Sequence, residues 1–242
     1  MSAEPIPSAA GADPAAVSLD RRQRRRLETI EEVLDVAAAV MAEQGVAGLS
    51  VGEVARRMGI RPPSLYVYFD SKGALYDALF ERGWRLLNAH LEQTRTQVLD
   101  HGTLEDALVD TGSAFVRWAI ENPAYSQLLF WRPVPGFEPS PEAYAPAVRS
   151  LDGARQLFGE LQQRGLLRAD ASIDEVTRDW TIVLAGIVSQ QLSNAPREPF
   201  DSGTYTAALP GLVAMFTRHY GPTPPSKPTR RARHGDSRRS DR

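Results

Sequence analysis

Between Ser50 and Lys72 the chain reads SVGEVARRMGIRPPSLYVYFDSK, and this segment leaves little freedom in how it folds. Val51, Val54, Ala55 and Met58 recur at threes and fours, the spacing of one inward helical face. Ser50 and Glu53 stand three apart at the start of that helix. That is the capping-box arrangement, in which each side chain satisfies an otherwise unpaired backbone amide. Gly59 then permits a sharp turn, and Ile60 is placed to plug the angle between two helices. Pro62 and Pro63 suit the first turn of a second helix, where no intrahelical amide bond is lost. Leu65 and Phe69, four apart, anchor that helix inward and leave Ser64, Tyr66 and Tyr68 for other partners.

The rest of the chain continues in helical periods. A first helix is expected over 24–44, with Ile30, Val33, Leu34, Ala37, Val40 and Met41 inward and Gly45 as its stop. The paired helices follow at 51–58 and 62–68, then a long one at about 72–99. Further helices read at 104–121, 124–130, 143–163, 173–192 and 205–219, separated by Asn122–Pro123, the Pro-rich stretch 133–141, Gly165 and 194–199. No sustained alternation marks a strand, so the fold class is all-α with about nine helices. Residues 1–20 and 221–242, rich in Ala, Pro and Ser or in Pro, Ser and Arg, read as disordered tails. Between them we expect a small N-terminal domain over 21–71 and a larger helical bundle over 72–220.

Net charge is −2, but it is unevenly spread: about −3 over 1–20, +2 over 21–75, −6 over 76–220 and +5 over 221–242. A basic N-terminal module on an acidic body suits a chain of which one end meets phosphate. Two helices of about two turns joined through glycine are also the motif that sets its second helix in a DNA major groove. Arg21, Arg22, Arg24, Arg25 and Arg26 precede the first helix. They read either as a flexible arm reaching DNA, carried by Arg24 and Arg25 among others, or as a solvated charge run. The arginines from Arg230 onward read as a solvated tail.

Several function classes find no support. There is no cysteine, so disulfides, thiolate metal sites and a cysteine nucleophile are excluded. The four histidines are scattered without metal-ligand spacing, and no nucleophile elbow, phosphate loop or dinucleotide fingerprint occurs. We expect neither enzyme activity nor a metal or cofactor. No apolar run approaches a membrane span and no signal peptide is evident, so a cytoplasmic location is expected.

The segment LYVYFDSK, preceded by GIRPPS and a short helix, resembles the signature of the TetR/AcrR family of transcriptional regulators. The resemblance implies a three-helix DNA-binding domain, a connecting fourth helix, and a C-terminal bundle that holds a ligand and dimerises through its last two helices. It makes 62–68 the recognition helix, with Arg61, Pro62, Pro63, Ser64 and Tyr66 toward the groove. Arg61 alone of these can fork onto a guanine edge. Ser50, Tyr68 and Lys72 fall where family members hold phosphates.

For the bundle, an apolar small-molecule effector is expected among aromatics of several helices: Trp84, Phe115, Trp118, Tyr125, Phe130, Trp131 and Trp180. The bland reading of each is core packing. A homodimer on palindromic double-stranded operator DNA needs a self-complementary seam. Its candidates are Ile182, Ala185, Gly186 and Ser189 with Leu209, Leu212, Met215 and Phe216, although periodicity does not separate a seam from core. The implied function is a regulator, in the repressor mode, released from its operator by ligand. A helical carrier with a vestigial DNA-binding motif is the alternative.

Overall fold

The computed structural model describes residues 14–100 and 102–222, and of residues 14–19, 96 and 97 only the backbone. The tail residues 1–13 and 223–242, with the C-terminal arginines, lie outside the described residues. Among the described residues the chain is helical and without strands. Its helices are α1 (Pro14–Gln44), α2 (Val51–Arg57), α3 (Pro62–Leu65), α4 (Lys72–Asp100), α5 (Leu104–Glu121), α6 (Pro123–Phe130), α7 (Pro141–Gln163), α8 (Ile173–Asn194) and α9 (Leu209–Tyr220). No helix is long and apolar enough to cross a membrane.

Local signals explain most boundaries. Thr103, Ser140 and Ser172 cap α5, α7 and α8, each accepting a hydrogen bond from the backbone N–H three residues on. Gly45 (φ 78°) ends α1, and a 3-10 turn at Val46–Gly48 carries the chain to α2. The main departure is at the N-terminus. Helix α1 begins at Pro14, ten residues before the expected start, so residues 14–20 are helical rather than part of a disordered tail. The arginines from 21 to 26 therefore ride on a helix and are not a flexible arm. Nothing between Pro14 and Arg26 breaks a helix, and Ala and Arg favour one.

One buried core runs through both domains. Val33, Leu34, Ala37, Val40 and Met41 of α1 join Val54, Ala55, Leu65 and Phe69, then Leu75, Tyr76 and Leu79 of α4. Helix α4 is the spine, packed along α5, α6 and α7, and at 29 residues it is about 44 Å long. Helix α5 in turn packs on α8 and α9, while α1 reaches across to α6. Gly83 of α4 makes the crossing with α6 possible. A Cβ there would lie 2.7 Å from the Tyr125 ring and 3.1 Å from Leu129, closer than packed carbon atoms approach.

Candidate nucleic-acid interface and effector core

The second helix of the pair is shorter than its sequence suggested. Regular α-helix ends at Leu65, and the chain continues as a hydrogen-bonded turn in which Tyr68 and Phe69 N–H both donate to the Leu65 carbonyl. Leu65 and Phe69 are buried as anchors, so four helical residues hold their place through the core rather than through helix propensity. The turn before it depends on Gly59, whose φ of 67° is a left-handed conformation that side chains disfavour. Ile60 N–H then donates to the Ala55 carbonyl and closes the corner.

This leaves one exposed surface. Arg61, Pro62, Pro63, Ser64 and Tyr66 are all solvent-facing, as are Ser50 and Lys72. Tyr68 is half-buried, with the Arg26 guanidinium 5.3 Å from its ring centre. Arg26 also donates to the Val67 carbonyl at 3.4 Å. The start of α1 is thereby fastened beside the turn that follows α3, and Arg21, Arg22, Arg24 and Arg25 lie within two helical turns, all exposed. Val67, 65% exposed, is an apolar member of this face that sequence reasoning missed. Its signal was present: it lies two residues past buried Leu65, on the opposite side of the turn.

The expected capping box is not formed. Ser50 makes no side-chain bond to the helix start, and the Glu53 carboxylate turns instead to two guanidinium groups. Arg56 grips it at 2.8 and 2.7 Å, and Arg57 Nε donates to it at 2.8 Å. Arg57 also holds Glu43 of α1 at 2.9 and 2.6 Å, so it clamps α2 to α1. A charge-assisted bidentate pair outcompetes a neutral cap. Hydrogen bonds from Arg56, then Arg57, hold the Glu53 carboxyl down at about 2, below its ordinary 4.5. A depressed carboxylate stabilises the fold above its unfolded value and loses that contribution as pH falls through the folded one. Between pH 4.5 and about 2, Glu53→Gln should therefore flatten the fall in melting temperature relative to the unmodified protein, read by circular dichroism.

Lys72, at the start of α4, sits over the Tyr76 ring at 5.4 Å, and Ser71 caps this helix by accepting from Ala74 N–H at 3.0 Å. Tyr76 is buried, and its hydroxyl donates to the Val46 carbonyl at 2.6 Å. The Phe137 ring, from the loop between α6 and α7, packs on Tyr76 at 5.4 Å. Asp77 accepts hydrogen bonds from the N–H and hydroxyl of Ser140 at the start of α7. The loop between α6 and α7 is thus tied to the two turns of α4 that carry Lys72. Lys72, Tyr76, Asp77 and Phe137 help line an open cleft of about 530 Å³ there.

The candidate effector aromatics fall in four places. Phe115, Phe130 and Trp84 form a contiguous half-buried set, with Phe130 5.7 Å from both neighbours. Phe80 and Tyr144 extend it on the α4–α7 side. Trp118 and Tyr125 are buried against each other beneath this set. Trp180 packs on Phe216 in the α8–α9 core, away from the others, and Trp131 is exposed after α6. Neither makes a ring contact with Trp84, Phe115 or Phe130. The expected seam needs a similar correction. Leu209 and Phe216 are buried within the monomer, so they cannot face a partner. Ile182 and Met215 are 62% and 58% exposed, Ala185 and Gly186 are exposed, and Ser189 and Leu212 are half-exposed.

Comparison with known proteins agrees with this architecture. Residues 33–79 match the model of the bacterial regulatory proteins of the tetR family, and residues 108–215 match a tetracyclin repressor-like C-terminal domain. The chain belongs to the TetR family. Among curated relatives, the HTH-type transcriptional regulator Rv1816 of Mycobacterium tuberculosis is 27% identical over 134 residues, 55% of this chain and 57% of that protein. The match thus spans little more than half the length of such relatives. A solved protein of unknown function from Rhodococcus sp. RHA1 superposes with TM-score 0.67 at 20% identity, covering 79% of this chain and 95% of that one. The Bacillus subtilis regulator FadR, solved in complex with stearoyl-CoA, superposes with TM-score 0.60 at 15% identity, covering 77% and 97%.

Arg82, in the stretch of α4 between the two matched regions, ties this helix to α1: it is bonded to Asp35 and lies 3.4 Å from Glu31. Sequence reasoning did not single out Arg82, because its partners are some 47 residues away and no local pattern marks them. Gln191, on the helix expected to carry the dimer seam, is instead buried. It accepts from the N–H groups of Tyr205 and Thr206 and donates to the Ala195 carbonyl, which fixes the loop between α8 and α9.

Proposed function

We propose that this TetR-family chain is a transcriptional regulator that binds a palindromic operator as a homodimer and is released by a small apolar effector. The observation that carries the reading is the face made by Arg61, Pro62, Pro63, Ser64, Tyr66 and Val67, exposed together over buried Leu65 and Phe69. A rigid, locally apolar and hydroxyl-bearing surface with one fork-shaped cation suits base edges and thymine methyls. Ser50, Tyr68, Lys72 and the arginines of α1 flank it as phosphate holders. The dimer forms through the exposed α8–α9 face, centred on Ile182, Gly186, Leu212 and Met215, and the effector enters the half-buried set around Trp84, Phe115 and Phe130. Effector binding parts α6 from α4, and the ties at Arg82, Tyr76 and Asp77 transmit the shift to the recognition turns.

Selection from a random DNA library at near-physiological salt tests the reading. A palindromic consensus supports it, and the absence of any enriched sequence overturns it. The helical arginines make a separate contribution. Replacing Arg21, Arg22, Arg24 and Arg25 by Ala should leave the consensus unchanged. The slope of log affinity against log salt should fall by about 0.9 for each phosphate that the variant no longer neutralises. An unchanged slope would mark the run as a solvated helix face. Repression, rather than activation, is proposed with the regulator and is read from reporter output with and without the protein.

A further inference from the structure

Arg82 Nη1, Trp84 Nε1 and the Tyr125 hydroxyl are buried together on α4 and α6, and apart from a contact between the Arg82 guanidinium and the Tyr125 oxygen these donors find no acceptor in the protein. A buried donor left unpaired is costly, and a cationic one more so. Arg82 is 16% exposed and two-faced. Its outer edge pairs with Glu31 and Asp35 of α1, while Nη1 points inward beside Tyr125, itself 8% exposed. Burial raises the Tyr125 phenol above its ordinary value, and the nearby Arg82 charge partly opposes this, so the hydroxyl stays protonated and able to donate. The Tyr125 ring rests on Gly83 between Arg82 and Trp84, and Trp118 lies against its other side.

We propose that the inward face of Arg82, with the Tyr125 hydroxyl, receives the acidic group of an apolar organic anion whose body lies against the Trp84–Phe130–Phe115 aromatics. This rests on the reading of α4–α6 as the effector core and adds the chemical class of the effector. A desolvated guanidinium nitrogen beside a phenol donor is complementary to a carboxylate-like group and to no neutral hydrocarbon. The aromatic set accommodates the apolar remainder. The same guanidinium carries the link to α1. An anion on its inner face competes with Glu31 and Asp35 for one positive charge and so loosens the DNA-binding domain from α4.

Two fluorescent probes that share an aryl scaffold test this with the full chain. One is 8-anilinonaphthalene-1-sulfonate, an anion, and the other is N-phenyl-1-naphthylamine, its neutral counterpart. Both are read by energy transfer from tryptophan. The unmodified protein should bind the anion more tightly. Tyr125→Phe, which keeps the ring packed on Gly83, and Arg82→Gln should each weaken anion binding by about tenfold, the scale of one hydrogen bond to a charged group. Binding of the neutral probe should change by less than about twofold in both. Circular dichroism confirms that each variant folds, and Tyr125→Phe leaves the α1 contact untouched should Arg82→Gln not fold. Anion affinity equal in the unmodified protein and Tyr125→Phe overturns the proposal and assigns the buried donors to internal water. Neutral-probe binding without anion preference overturns the anion class alone. Binding of neither probe overturns the effector core as well.

Discussion

Ile182→Glu combined with Gly186→Glu is expected to leave the protein monomeric, eluting at 26.6 kDa rather than at twice that mass in light-scattering chromatography. In a two-fold interface each residue near the axis meets its own copy, so one substitution places like charges face to face. Ile182 lies open on α8, and a Cβ at Gly186 meets nothing within 4 Å. The monomer itself loses no packing, and its melting temperature and helicity should stay close to those of the unmodified chain. Operator affinity should nonetheless fall by about 10²–10⁴-fold, the gain that linking two half-site contacts provides. A folded double variant that remains dimeric would place the interface elsewhere.

The second large effect lies at the groove. Arg61→Ala should weaken operator binding by about 1–3 kcal/mol at each half-site, the scale of one bidentate contact to guanine. With two half-sites the loss doubles, and it should come with relaxed preference at one base of each. Tyr66→Ala removes a ring that is 50% exposed and should also weaken binding. A library selection repeated with each variant separates the two roles. A lost base preference marks direct readout, and a uniform loss marks a phosphate contact. Intact affinity in both variants would move the recognition surface away from α3.

How much of this was legible without coordinates differs from residue to residue. The order of helices was readable, because inward positions such as Val33, Ala37 and Val40 recur with the helical period and Gly45, Gly59 and the prolines mark the breaks. The exposed side of α3 was readable too, since Leu65 and Phe69 fix which side of a short helix is buried. The capping box was not. Ser50 and Glu53 have the right spacing, yet Arg56 and Arg57 take the carboxylate, and Arg57 is held in place by Glu43 on another helix.

The sequence by itself determined the fold class, the helix-turn-helix and the residues that it presents, all of which follow from contacts within a few turns of chain. Only the tertiary structure decided which apolar positions of α8 and α9 are core, with Phe216 inside and Met215 outside one residue away. It alone brought Trp84, Phe115 and Phe130 together and set Trp180 apart. It alone placed Arg82 against Asp35 of α1 on one side and Tyr125 of α6 on the other. A core side and a partner-facing side of a helix share the same apolar period, and a buried charge is defined by neighbours distant in sequence. Local pattern carries neither kind of information.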